Sequence, residues 1–382
     1  MAKGRSIFED VDAGSAAEVA KAKPVERKKQ PKEAGRKGIV AWLTVLFVLV
    51  FAMIVVGGLT RLTDSGLSIT EWKPVTGAVP PMNAEAWEAE FAKYRETPQF
   101  EIMNSDMTLE GFKTIYWWEW GHRQLGRLVG AVWFIGFLYF LARKQIPRGW
   151  TGRLLGLGAL GGLQGAIGWW MVASGLTGEM VSVASYRLAT HLGLAFAILG
   201  LIVWYVLHLR NREQELMQAR RLRNGRLVTW GTVLICVCFA QIILGAMVAG
   251  IDAGRGHIDW PLMAGEFFPS DSFSITPAWR NFMENPGLVQ FNHRMLGYIL
   301  AILGLFAWLA SRKSASTHIR RAFDAVGIAM IVQILLGIYT VINASPWQIA
   351  IVHQAVAVAL FALIIRARFA ACYPRADSLR RG

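Results

Sequence analysis

Trp118-Glu119-Trp120-Gly121-His122-Arg123-Gln124-Leu125-Gly126 finds a counterpart 171 residues on, in Val289-Gln290-Phe291-Asn292-His293-Arg294-Met295-Leu296-Gly297. His, Arg, Leu and Gly coincide. Further along, Gln164 and Gly168 match Gln333 and Gly337 at an offset of 169, and His191 matches His353 at 162. Upstream, Gly57 and Asp64 match Gly245 and Asp252 at 188. The order is kept throughout, and the offset shrinks only where loops shorten. Chance matches of Leu and Gly are common between apolar helices, but four ordered blocks with ionisable residues in register are not. The expected fold is therefore all-α and membrane-integral: two tandem four-helix bundles related by a pseudo-two-fold axis along the membrane normal.

Composition agrees. The chain has 382 residues, 54% of them hydrophobic, with 16 tryptophans and a mean hydropathy of +0.37, too apolar for an ordinary soluble enzyme. Segments near 38–58, 115–141, 154–174, 186–208, 227–250, 288–311, 323–343 and 347–370 can each span a hydrocarbon core, which takes roughly 20 helical residues. The expected organisation is a disordered tail over 1–36, a first unit over 37–210, a linker over 211–226, a second unit over 227–370 and a tail over 371–382. Residues 1–36 contain no apolar stretch of the signal-peptide kind.

The net charge of +14 invites a nucleic-acid reading, but the basic residues cluster in alternate connections. They lie in the N-terminal segment, at Arg143/Lys144/Arg148/Arg153, from Arg210 to Arg226, at Arg312/Lys313/Arg320/Arg321 and in the C-terminus. With eight spans these fall on one side, which the positive-inside rule makes cytoplasmic, so both termini are expected there. The opposite, periplasmic side carries the long acidic loop 59–114 and a second loop over 251–287. The expected setting is a bacterial inner membrane with lipid as neighbour and no nucleic acid. Cys236, Cys238 and Cys372 supply no pair for an outer-face disulfide.

His122, His191, His293 and His353 lie near the outer ends of four spans that all run from outside to inside. Each pair can meet at one depth within its own unit, and paired imidazoles from facing helices are what a haem iron takes as axial ligands. Glycines at 126, 130, 161, 162, 165 and 168 would let a flat macrocycle approach the backbone. Arg123 and Arg294 suit haem propionates; Arg127 and Arg187 serve equally well as arginines reaching for lipid phosphates. His208, His257 and His318 fall at loop edges and read as solvated. The two units differ at Glu119, which precedes His122 by one helical turn; neutral Gln290 stands in that place before His293. A carboxylate at mid-membrane costs roughly 2.5–3.5 kcal/mol and less near an interface, so it calls for a purpose: an acid beside a reacting group or an ion pair with Arg123.

At these residues the chain resembles haem A synthase of the proteobacterial and mitochondrial type. The resemblance covers nearly all of 38–370 and is carried by Gly57 to Ser68, Glu71 to Gly77, Trp117 to Gly126, Ala189-Thr190-His191 and Phe291-Asn292-His293-Arg294. It implies an eight-helix enzyme that oxidises the C8 methyl of haem O to a formyl group, giving haem A for terminal oxidases. It further implies that His122 and His191 flank the substrate haem, that Glu119 is the essential acid beside it, and that His293 and His353 ligate haem b. One branch of the family has a cysteine pair in the first outer loop; residues 59–114 contain no cysteine, so a mechanism needing that pair does not operate here. Two successive hydroxylations and loss of water would make the formyl group, with bis-histidine ligation loosening at one iron. Dioxygen or water as the oxygen source, the electron donor and a homo-oligomeric state are left open, and haem O synthase is the implied supplier. The rival readings are a two-haem electron-transfer protein resembling a quinol oxidoreductase, which lacks a use for Glu119, and a tandem-repeat transporter with histidines along a proton or metal path.

Overall fold

The computed structural model describes residues 31–178 and 180–375. Among them are eight helices long and apolar enough to cross a membrane: α1 (Pro31–Leu62), α2 (Leu109–Ala142), α3 (Thr151–Gly175), α4 (Ser185–Leu209), α5 (Gly225–Gly250), α6 (Pro286–Arg312), α7 (Thr317–Ile342) and α8 (Trp347–Cys372). These are the spans expected from sequence, in a multi-pass membrane protein. Their ends run further. α1 starts at Pro31, so the last six residues of the expected tail are helical, and the rest of that tail lies outside the described residues. α2 starts at Leu109, where the Thr108 hydroxyl accepts from Gly111 N at 3.3 Å. α7 starts at Thr317, with the Ser316 side chain accepting from Ile319 N. Caps set these boundaries, and hydropathy does not register them. The 211–226 connection holds a helix of its own, Glu213–Arg221. At the other end α8 takes in the first two residues of the expected C-terminal tail, and 376–382 lie outside the described residues.

Packing recurs between the halves. In the first, α1 lies against α2 and α4, and α3 against α2 and α4, which closes a ring; in the second, α5 lies against α6 and α8, and α7 against α6 and α8. Between the rings, α4 meets α5, α8 meets α1, α4 meets α8, and α1 meets α5. Exchanging the two sets of helices carries each of these contacts onto another of them or, for α4–α8 and α1–α5, onto itself. One apolar cluster joins both rings, including Leu43, Phe196, Leu199, Leu234, Val358 and Ile364. Lipid tails are as apolar as leucine, so close fit rather than water exclusion holds such helices together. Gly231 shows the closeness: a Cβ there would lie 2.7 Å from Arg368 Cβ.

α1 and α5 are each followed by an aspartate in the left-handed region, Asp64 and Asp252, both with φ of 51°, a conformation aspartate tolerates better than most residues. Arg61 reaches both: Nη1 lies 2.8 Å from Asp64 Oδ1 and Nη2 lies 2.8 Å from Asp252 Oδ2. Beyond α1, the long outer loop contains a helix, Ala84–Arg95. It buries Phe91 and Tyr94 against Phe112 of α2, at ring-centroid distances of 5.1 and 5.3 Å. It therefore caps the outer end of α2 instead of floating on lipid.

Candidate active site

Each of the four histidines faces a glycine on the helix beside it. A Cβ at Gly57 of α1 would lie 2.9 Å from His122 Cε1, at Gly168 of α3 2.9 Å from His191, at Gly245 of α5 3.0 Å from His293, and at Gly337 of α7 3.1 Å from His353. Any side chain at those positions would displace the ring. His122 of α2 and His191 of α4 belong to one ring of helices, and His293 of α6 and His353 of α8 to the other. Among the described residues, no three His, Cys, Asp or Glu side chains cluster as they would around a bare metal ion.

Glutamines accompany three of the rings. Gln164 Nε2 lies 3.2 Å from both ring nitrogens of His191; Gln241 Nε2 lies 3.1 and 3.4 Å from those of His293; Gln333 Nε2 lies 3.3 and 3.2 Å from those of His353. The carboxamide oxygens of all three glutamines are buried without a partner. Sequence reading used Gln164 and Gln333 as markers of the repeat and missed Gln241. The signal was there, as Gln-x-x-x-Gly in α3, α5 and α7.

Glu119 is 3% exposed and accepts four hydrogen bonds. Oε2 takes Ser68 Oγ at 2.8 Å and Ile69 N at 2.9 Å; Oε1 takes Arg123 Nε at 3.0 Å and Nη2 at 2.6 Å. The ion pair weighed from sequence is present, and the outer loop is fastened to the same carboxylate. Arg123 also donates to the carbonyls of Ile69 and Glu71. In the second half Arg294 donates to the carbonyls of His257 and Leu262, and Gln290 donates to His257 O at 3.0 Å. Ile69 and His257 are related by the same 188-residue offset as Asp64 and Asp252, so both arginines clasp the loop at one equivalent point. Where Glu119 accepts from a backbone N–H, Gln290 donates to a backbone carbonyl.

Two sequence expectations change. Arg127 and Arg187 do not simply reach for lipid: Arg127 donates to Pro74 O and Lys73 O, and Arg187 donates to Trp170 O and stacks over the Trp170 ring at 4.4 Å. Their carbonyl acceptors lie at helix and loop ends that hydropathy cannot locate. His208, His257 and His318 are not solvated but half-buried, and the Nδ1 atoms of His257 and His318 are enclosed without partners. Phe369 and Tyr373 near the end of the chain pack on His208, contacts that sequence position does not reveal. Beside the Glu119–Arg123 pair opens a cavity of about 480 Å³ lined by Glu71, Lys73, Tyr116, Arg123 and Arg127. Arg127 Nη1 is buried there without a partner.

The chain matches the family model described as COX15-CtaA, cytochrome oxidase assembly protein, over residues 40–365. Among curated proteins it is 59% identical to a heme A synthase of Cereibacter sphaeroides over 389 aligned residues, covering 100% of this chain and 99% of that one. It is 57% identical to the heme A synthase of Ruegeria pomeroyi across the full length of both, and 61% identical to that of Paracoccus denitrificans over 91% of this chain and 92% of that one. Matched at that identity from end to end, with the histidines paired and the loop clasped as described, the chain belongs to the COX15-CtaA family and, within it, to the haem A synthases.

Proposed function

We propose that the chain oxidises the C8 methyl of haem O to a formyl group, yielding haem A for terminal oxidase assembly in a bacterial inner membrane. Full-length similarity to haem A synthases supports this reading, and the observation that carries the site assignment is the asymmetry of Glu119 against Gln290. Two tandem units are proposed, over 37–210 and 227–370, the first holding the substrate haem between His122 and His191 and the second holding haem b between His293 and His353. The residues fit such groups: imidazoles pair within each ring of helices, glycines keep their faces clear, and buried carboxamide oxygens stand unpartnered beside three of them. An iron-bound imidazole must give its remaining N–H to an acceptor. When bound, haem b supplies one-electron transfer between an outside donor and the first unit.

The chain's own residues then divide the work. Ser68, the Ile69 amide and Arg123 hold Glu119 one turn from His122, where its carboxyl group would stand beside the reacting edge of a bound haem. Arg123, Arg127 and Arg294 would supply the positive charge that haem propionates need, with Arg127 Nη1 the donor that has no protein partner. Trp72, stacked on Trp169 at 5.9 Å, ties the outer loop to the end of α3. Haem O arrives from the enzyme that farnesylates haem. The test is Glu119→Gln, with haems extracted from whole cells. The expected result is loss of haem A by at least about a hundredfold, with haem O or a hydroxylated form accumulating. Haem A at the parent's level and turnover would overturn the assignment, and a chain carrying haem b alone would favour an electron carrier.

A further inference from the structure

Three of the four imidazoles share one environment, and the fourth lacks half of it. In α3, α5 and α7 a glutamine stands one turn before the ring-facing glycine: Gln164 before Gly168, Gln241 before Gly245, Gln333 before Gly337. α1 keeps the glycine, Gly57, but carries Met53 in the glutamine's place. Geometry confirms that Met53 and Gln241 are counterparts. A Cβ at Gly126, four residues after His122, would lie 3.3 Å from Met53 Cε; a Cβ at Gly297, four residues after His293, would lie 3.2 Å from Gln241 Nε2. In consequence His122 has no carboxamide beside it, and its Nδ1 is buried without a partner. Glu119 does not fill the gap, because its oxygens are engaged by Ser68, Ile69 N and Arg123.

A ligand imidazole binds iron through one nitrogen and donates the N–H of the other, and that second bond fixes the ring and raises its basicity. The orphaned oxygens of Gln164, Gln241 and Gln333 become such acceptors when the carboxamide turns, which for Gln164 and Gln241 exchanges the bond that Nε2 makes to the carbonyl of His191 or His293 for one to the ring N–H. A thioether is a poor one. We propose that Met53 is a positioning residue that leaves His122 the weakest-held of the four axial ligands, so that the substrate haem opens to a reactant on its His122 face and haem b stays closed on both. The proposal rests on the haem-ligand assignment above and adds which bond gives way.

The experiment uses the full chain purified with its haems and reduced, with carbon monoxide as probe, because carbon monoxide needs a vacated axial position. In the parent, one haem binds carbon monoxide readily and the other does not. Met53→Gln is expected to slow that binding at least about tenfold, the scale on which second-sphere partners act, and, in a separate oxidised sample, to move the same haem toward the low-spin ferric state in paramagnetic resonance; Met53→Leu behaves as the parent. Gln241→Met is expected to create carbon monoxide binding at the second haem, and it reports independently if Met53→Gln fails to fold. Unchanged binding in both Met53→Gln and Gln241→Met, with both haems present, overturns the role of Met53 and leaves the ligand assignment standing. Should His122→Ala and His191→Ala leave the spectrum of the carbon monoxide-binding haem unaltered, the assignment itself falls and the proposal with it.

Discussion

Arg61 is 11% exposed at its side chain and bonds at once to Asp64 of its own half, Asp252 of the other and the Gly250 carbonyl. Hydrogen bonds to charged groups contribute about 1.5–3 kcal/mol each where water is excluded, and the half-exposed aspartates reduce that here. Arg61→Ala is expected to destabilise the solubilised protein by about 1–3 kcal/mol, read as a lowered thermal midpoint. Arg61→Lys should recover less than half, since an ammonium cannot fork between two carboxylates as a guanidinium does. The candidate site residues were legible because ionisable groups are costly in and near lipid and therefore stand out, as the four histidines, Glu119 and the paired arginines do. Gln241 and Met53 did not. A neutral glutamine and a methionine are unremarkable in an apolar helix, and their meaning emerges only when the imidazole facing each is known.

At the level of elements, the short helix Ala84–Arg95 is tied to the strand of loop before it by charge. Lys73 and Lys93 both lie 2.6 Å from Glu71 Oε2, and these ammonium groups pull the Glu71 carboxyl from 4.5 down to about 2. A depressed carboxyl pKa stabilises the folded loop fully above pH 4.5, and that stabilisation drains away as pH falls through about 2. The melting difference between the parent and Glu71→Gln is therefore expected to be constant from pH 6 to 8 and to shrink progressively below pH 4.5. A difference that grew on acidification would contradict the pairing. The existence of this helix was readable from its alternating apolar and charged residues, but its seat was not. Phe91 and Tyr94 look equally suited to lipid until Phe112 and Tyr116 of α2 are found beneath them.

For the whole molecule, the spans were the most legible feature and the ring packing the least, since apolar helices carry no address for their neighbours beyond small residues and their spacing. The repeat supplied what periodicity could not. The charge pattern predicts the orientation: phosphatase fusions at Asn104 and Ser270 should be active, and fusions at Gln145 and Leu216 inactive. The reverse pattern would invert the molecule in its membrane. One dimension of α2 then bears on energy use. Its 34 residues measure about 51 Å against a hydrocarbon layer of about 30 Å, and its inner end stops just before Arg143 and Lys144. With the basic end held at the inner surface, as the positive-inside rule predicts, the surplus would stand on the side of the long loop and lift Glu119 to headgroup height. A proton exchanged there comes from the nearby aqueous phase without crossing the electrical field of the bilayer, so turnover should run at the same rate whether the cell is energised or depolarised.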